Sequence, residues 1–241
     1  MTRFFVEPQE LLADHITLTG ENAKHAKVLR LKEGEQLLLC DGQGREALCR
    51  VEDAELPVLA VLERYDSASE AAVRVSVYMA FPKADKLEHV IQKATELGAY
   101  EIIAFPSSRC ISKPDEKSLA KKLERWQKIA ASAAEQSGRG RIPQILTLGS
   151  FAEALKRAAL ADKALMFYEN EQATTLRMAL SDGGYRTVSL LTGPEGGLEK
   201  REVYQAMAAG LRVCTLGKRI LRCETAPLCA LSAVMYDAGE F

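Results

Sequence analysis

The chain has 241 residues, 47% of them hydrophobic, with a formal net charge of −1. That apolar content supports a buried core and argues against disorder, and the length accommodates one large domain or two small ones. Near-neutral charge gives no overall argument for nucleic-acid binding, and no apolar run reaches the ~20 residues that a membrane helix needs.

The opening residues, Met1-Thr2-Arg3-Phe4-Phe5-Val6-Glu7, lack the long apolar stretch and small-residue cleavage site of a secretory signal, so a cytoplasmic location is expected. Residues 21–31 predict a short helix. Gln36-Leu37-Leu38-Leu39-Cys40, the turn Asp41-Gly42-Gln43-Gly44 and the run Arg45 to Val51 predict a β-hairpin, and residues 58–62 predict another strand. The composition changes over residues 65–72, which reads as a domain boundary. Strands of this kind suggest a small N-terminal β-barrel over residues 1–70, followed by a second domain over 73–241.

Beyond the boundary, Val73, Val75, Val77, Met79 and Phe81 alternate and predict a strand. Residues 83–97 carry Leu87, Val90, Ile91, Ala94 and Leu97 at helical spacing, with Gly98 where a C-terminal cap belongs. Glu101-Ile102-Ile103-Ala104-Phe105 predicts the next strand. Leu119, Leu123, Trp126, Ala130 and Ala133 form the apolar stripe of a helix, on which Trp126 reads as core. Further strands are expected at 164–168, 187–191 and 212–216, each separated from the next by helical spacing. Strands alternating with helices imply a mostly parallel α/β sheet.

Charge is distributed unevenly. Residues 117–141 carry Lys117, Lys121, Lys122, Arg125, Lys128, Arg139 and Arg141 against Glu124 and Glu135, and Lys218, Arg219 and Arg222 cluster farther on. Such patches suit phosphates, although a solvated helix face is the simpler account of a charge run. The six cysteines, at 40, 49, 110, 214, 223 and 229, form no C-x-x-C pair, and the three histidines stand at 15, 25 and 89. Reduced, partly buried thiols and no metal site are expected.

Neither G-x-G-x-x-G after a strand nor G-x-x-x-x-G-K-[ST] occurs, which argues against an ordinary dinucleotide enzyme and an NTPase. G-x-S-x-G and H-E-x-x-H are absent as well. Instead, two glycine-bearing turns follow predicted strands: Leu191-Thr192-Gly193-Pro194-Glu195-Gly196-Gly197, and Leu216-Gly217-Lys218-Arg219-Ile220-Leu221-Arg222-Cys223-Glu224-Thr225-Ala226. Loops at the carboxyl ends of parallel strands are where open α/β sheets bind ligands.

Together these turns resemble the SPOUT superfamily of RNA methyltransferases, and more narrowly the bacterial 16S rRNA (uracil-N3)-methyltransferase family. The resemblance extends over nearly the whole chain. It includes Arg3-Phe4-Phe5-Val6, His25 with Val28-Leu29-Arg30-Leu31, Lys93-Ala94-Thr95-Glu96-Leu97-Gly98, and Arg125-Trp126 with Ala133-Ala134-Glu135-Gln136-Ser137, Arg139 and Pro143. Cys223 stands where the family usually has Thr.

The resemblance implies an N-terminal PUA-like β-barrel and a C-terminal SPOUT-type parallel sheet with a trefoil knot. Threaded chains are otherwise nearly absent from proteins, so the knot rests on the resemblance alone. S-adenosylmethionine would lie between the loops 192–197 and 216–226. Gly193, Gly197 and Gly217 would offer it backbone groups, beside Thr192 and Ala226, with apolar walls from Leu191, Leu216, Ile220 and Leu221. A homodimer acting on 16S rRNA within the 30S subunit is implied, with no membrane partner.

Methyl transfer to uracil N3 needs the N3 proton removed or the resulting anion stabilised, and Arg3 and Arg222 are the candidate cations. Glu169 is a candidate base or cofactor contact, with a solvated loop carboxylate as the alternative. His25 and Arg30 are candidate RNA contacts, and Arg139 and Arg141, flanking Gly140, read as mobile phosphate-binding arms. A tRNA substrate and a non-enzymatic ribosome-assembly factor are the competing readings.

Overall fold

The computed structural model of the chain describes residues 1–111 and 114–241. It divides into two units: Met1–Glu70 with Ala134–Ile142, and Ala71–Ala133 with Pro143–Phe241. The first break between the units falls after Glu70, and residues 134–142 group with the first unit.

In the first unit, β1 (Arg3–Phe5), β2 (His15–Thr17), α1 (Gly20–Leu29), β3 (Gln36–Cys40), β4 (Arg45–Asp53) and β5 (Val58–Asp66) follow in order. They form a five-stranded sheet in the order β1-β3-β4-β5-β2. The expected barrel is a curled half-barrel with β1 and β2 at its edges. The hairpin β3–β4 pairs Gln36 with Arg50 through Cys40 with Glu46, as its alternation predicts. Phe4, Ile16, Leu37, Leu39, Ala47, Val51 and Leu59 fill the concave side. The short β1 and β2 were not legible in the sequence, since three residues carry almost no periodicity.

The second unit holds β6 (Arg74–Ala80), α2 (Lys86–Glu96), β7 (Glu101–Phe105), α3 (Glu116–Ser137), β8 (Gln144–Thr147), α4 (Phe151–Ala158), β9 (Lys163–Phe167), α5 (Leu176–Leu180), β10 (Thr187–Thr192), α6 (Lys200–Ala208), β11 (Arg212–Cys214) and α7 (Thr225–Asp237). Only the last turn of α3 falls to the first unit. The six strands run in the order β11-β9-β10-β6-β7-β8, and every pair is parallel. This is the parallel α/β sheet that the alternation of strands and helices implies. Its inner strands are buried on both faces, which explains continuous apolar runs such as Ile102-Ile103-Ala104-Phe105 in β7. The α2 stripe Leu87, Val90, Ile91 and Ala94 is buried, and the chain turns out of the helix at Gly98. Trp126 is core, as its place on the α3 stripe predicts. Strand β8 was missed because Ile145 alone of its four residues is buried.

Among the described residues, no helix is long and apolar enough to cross a membrane.

Candidate functional site

Strands β11, β9 and β10 are neighbours, so the loops leaving their carboxyl ends are brought together. They enclose a cavity of about 500 Å³, lined by Phe167 to Glu169 after β9, Thr192 to Leu198 at and after β10, and Thr215 to Cys223 after β11. Lys86 and Ala226 complete its wall. The volume lies within the ~300–1,000 Å³ of small-molecule sites.

The first glycine-bearing loop is closed by the Gly197 N–H, which donates to the Pro194 carbonyl (2.9 Å). Gly197 has φ +66°, and a Cβ there would lie 2.5 Å from Glu169 Oε1. Only glycine fits that backbone without strain while leaving the Glu169 carboxylate in place. The Arg109 guanidinium donates to the Gly196 carbonyl (2.9 Å), fixing the outer side of the loop.

Lys86, at the start of α2, ties the two loops together. Its Nζ lies 3.0 Å from Glu195 of the first loop and 3.3 Å from Glu224 at the end of the second. Partial burial pushes both carboxyls upward, but backbone N–H donors and the Lys86 ammonium outweigh it and hold both below the usual carboxylate range. One of those donors is the Lys83 N–H, 3.0 Å from Glu195. The two glutamates in turn raise the Lys86 ammonium. Cys223 replaces the family's Thr with a donor that still works, because its thiol donates to Glu224 Oε2 (3.2 Å). Burial, reinforced by that bond, pushes the thiol up to about 12.

The expected cofactor residues Thr192, Gly193, Gly197, Leu216, Gly217, Ile220, Leu221 and Ala226 all line this cavity, as do the candidates Glu169 and Arg222. Ile220 stands 83% exposed there, an apolar side chain without a protein cover. Leu191 is the exception. It is fully buried within β10 and does not reach the cavity, because alternation points it into the sheet packing.

Arg3 belongs to the first unit, where its guanidinium is committed. Nη1 donates to Glu46 Oε1 (2.5 Å), Cys40 Sγ (2.9 Å) and the Arg139 carbonyl (3.3 Å). The reading of Arg139 and Arg141 as mobile arms is corrected in the same unit. Arg139 is 4% exposed and holds Glu70 through Nη2 (2.7 Å) and Nε (3.3 Å). Arg141 donates from its backbone to Glu70 (3.0 Å) and from Nη2 to the Gln43 carbonyl (2.6 Å). Gly140 between them is pinned, since a Cβ there would lie 2.5 Å from Ser67 Cβ. These contacts stitch residues 134–142 onto the half-barrel. His25 and Arg30 remain exposed on α1 and at its end.

The basic run on α3 is broken up by pairing: Arg125 meets Glu88 (2.7 Å) and Lys128 meets Glu124 (2.7 Å). Lys86 escaped the sequence reading because its partners lie more than a hundred residues downstream. The only available signal was the pair of glutamates within the two loop motifs.

Residues 69–235 match the RNA methyltransferase domain family, and residues 18–57 match the RNA methyltransferase PUA domain. The chain is similar to ribosomal RNA small subunit methyltransferase E of Bacillus subtilis, 38% identical with 98% of this chain and 97% of the relative covered. Its counterpart in Synechocystis is 34% identical, over 96% of this chain and 76% of the relative. Among solved structures, ribosomal RNA small subunit methyltransferase E of Neisseria gonorrhoeae bound to S-adenosylmethionine superposes with a TM-score of 0.84, at 33% identity over 98% of this chain and 97% of that one. A Legionella pneumophila protein in complex with the same cofactor gives 0.84 at 28% identity, over 98% of each chain.

Proposed function

The chain belongs to the ribosomal RNA small subunit methyltransferase E family of RNA methyltransferases, and from that membership we propose that it transfers a methyl group from S-adenosylmethionine to N3 of a uridine in 16S rRNA. The observation that carries this reading is the convergence of the loops after β9, β10 and β11 on one cavity whose chemistry suits the cofactor. Apolar Leu216, Ile220 and Leu221 suit an adenosine. At Gly193 and Gly217 no side chain stands between the backbone and a ligand, which suits its polar edges, and the exposed Glu169 carboxylate suits a cationic group. When bound, the cofactor supplies an electrophilic methyl group.

The protein's own part is to bind, orient and stabilise charge. Uracil N3 becomes a nucleophile as its proton leaves, and negative charge then spreads onto the two flanking carbonyl oxygens. Arg222, exposed on the cavity wall beside Lys218 and Arg219, is the candidate cation for stabilising that charge. Glu169, also exposed, is the candidate proton acceptor. Arg3 acts within the first unit by holding Glu46. The active form is a homodimer, the substrate is the 30S subunit, and the backbone around the loop pair follows a knotted path.

The test is methyl transfer from labelled S-adenosylmethionine to 30S subunits from cells lacking the endogenous enzyme, read by nucleoside mass spectrometry. The expected product is 3-methyluridine in 16S rRNA. Cofactor binding without transfer to 30S, but with transfer to tRNA, would move the substrate. Absence of both cofactor binding and transfer would overturn the reading.

A further inference from the structure

A second cavity, of about 460 Å³, lies wholly within the first unit, and the function above leaves it unassigned. Its walls come from four stretches of chain: Arg3 with the N-terminal residues, His25 and Leu29 of α1, Leu38 of β3, and Glu135 and Gln136 of the segment stitched on from the end of α3. We propose that this cavity receives a single nucleobase splayed out of an RNA strand. The inference rests on the RNA-methyltransferase reading and adds to it the place in the first unit where RNA is gripped.

The geometry favours a base over a phosphate. His25, exposed on α1, brings an aromatic ring to the cavity wall and is held there by two contacts. Its ring packs edge-on against Phe4 at 5.4 Å and 72°, and its Nδ1 lies 3.5 Å from Glu135 Oε1. Leu29, 43% exposed, supplies apolar surface beside it. An extruded base seeks this combination of a flat ring and an apolar neighbour. The exposed Gln136 carries an amide donor and acceptor side by side, complementary to a base edge, and the Glu135 carboxylate adds an acceptor for a ring N–H. Arg3 does not invite a phosphate, because it is only 11% exposed and bonded to Glu46. Glu135 would repel an anion. The stitching by Arg139 and Arg141 also acquires a purpose here, since it holds Glu135 and Gln136 against the half-barrel.

The test uses the full-length protein and a single-stranded RNA decamer carrying 5-iodouridine. Irradiation and peptide mapping are expected to place the crosslink within residues 25–29 or 135–138. Gln136→Ala and, separately, His25→Ala are expected to weaken binding of the decamer about tenfold, the worth of one base contact. Gln136 is exposed, so its variant is expected to melt and to bind S-adenosylmethionine as the wild type does. Crosslinks mapping elsewhere, or affinity unchanged in both variants, would overturn the assignment. If the wild type then still methylated 30S subunits, the enzymatic reading would stand without this cavity. A wild type that neither bound RNA nor methylated it would overturn both.

Discussion

The two units use charge in opposite ways. In the first, two arginines that the sequence offers for function, Arg3 as a catalytic cation and Arg139 as an RNA-binding arm, are buried against carboxylates: Arg3 on Glu46, Arg139 on Glu70. In the second, Lys86, Glu195 and Glu224 stay partly exposed around an open cavity, and Arg222 stands exposed on its wall. An arginine beside a glycine suggests a mobile arm when read from sequence. Burial and a bidentate partner turn the same arginine into a staple. A cation's role therefore follows from the carboxylate that the fold brings to it, and a linear motif does not contain that information.

The sharpest way to break the contrast is to remove a staple. Arg139→Ala leaves Glu70, 18% exposed, without the guanidinium that neutralises it. Deleting one member of a buried pair costs about 3–5 kcal/mol, so a large fall in unfolding free energy is expected by chemical denaturation. Replacing both members, Arg139→Met with Glu70→Leu, should recover much of the loss. A mobile phosphate arm would behave differently, leaving stability unchanged and lowering only RNA affinity.

A smaller effect is expected in the second unit, where function rather than folding should suffer. Gly197→Ala forces a side chain onto a left-handed backbone, costing about 1–2 kcal/mol, and pushes aside the Glu169 carboxylate. S-adenosylmethionine affinity, measured by calorimetry, should fall about tenfold. Introducing the change into a Glu169→Ala background should cost less, because the displaced carboxylate is gone and the backbone strain remains. Equal losses in both backgrounds would show that Glu169 does not define the loop.

These contrasts mark how far the sequence could be read. Local signals were reliable: the β3–β4 hairpin, the α2 stripe with Gly98 behind it, and the apolar β7 all stand where periodicity put them. The two loop motifs led to the cavity because each is contiguous and follows its strand directly. What stayed hidden depends on distant pairing. Strand β8 is defined by its neighbour β7 rather than by its own pattern. Leu191 looked like a cavity wall until strand alternation buried it. The assignment of residues 134–142 to the first unit depends on Glu70, Gly42 and Gln43, all far away in the chain.

Lys86 tests whether the second unit's open charges do more than decorate the cavity. Lys86→Met leaves Glu195 and Glu224 facing each other without the ammonium between them. A several-fold weaker affinity for S-adenosylmethionine is expected, with kcat at saturating cofactor nearly unchanged. Lys86→Arg should restore most of the affinity, because a cation alone is needed to span the two loops. A loss confined to kcat would instead place Lys86 at the reacting atoms.

The pH dependence of the same cluster is the finest expected effect, and its sign is fixed by the shifts. Glu195 and Glu224 are held below their ordinary value of 4.5, so their contribution is fully present above 4.5 and disappears as pH falls through the lower folded values. Lys86 is held above its ordinary 10.5, so its contribution is complete below 10.5 and disappears only as pH rises past the higher folded value. The bridge is therefore intact across the whole neutral range. The ratio of wild-type to Lys86→Met affinity for S-adenosylmethionine should be flat from about pH 5 to about pH 10, and should narrow on further acidification and again as pH rises past the raised Lys86 value. That ratio is the informative quantity, because titration of the cofactor's own groups cancels between the two proteins. A ratio that changed near neutrality would mean that a group outside the Lys86–Glu195–Glu224 cluster controls the loop pair.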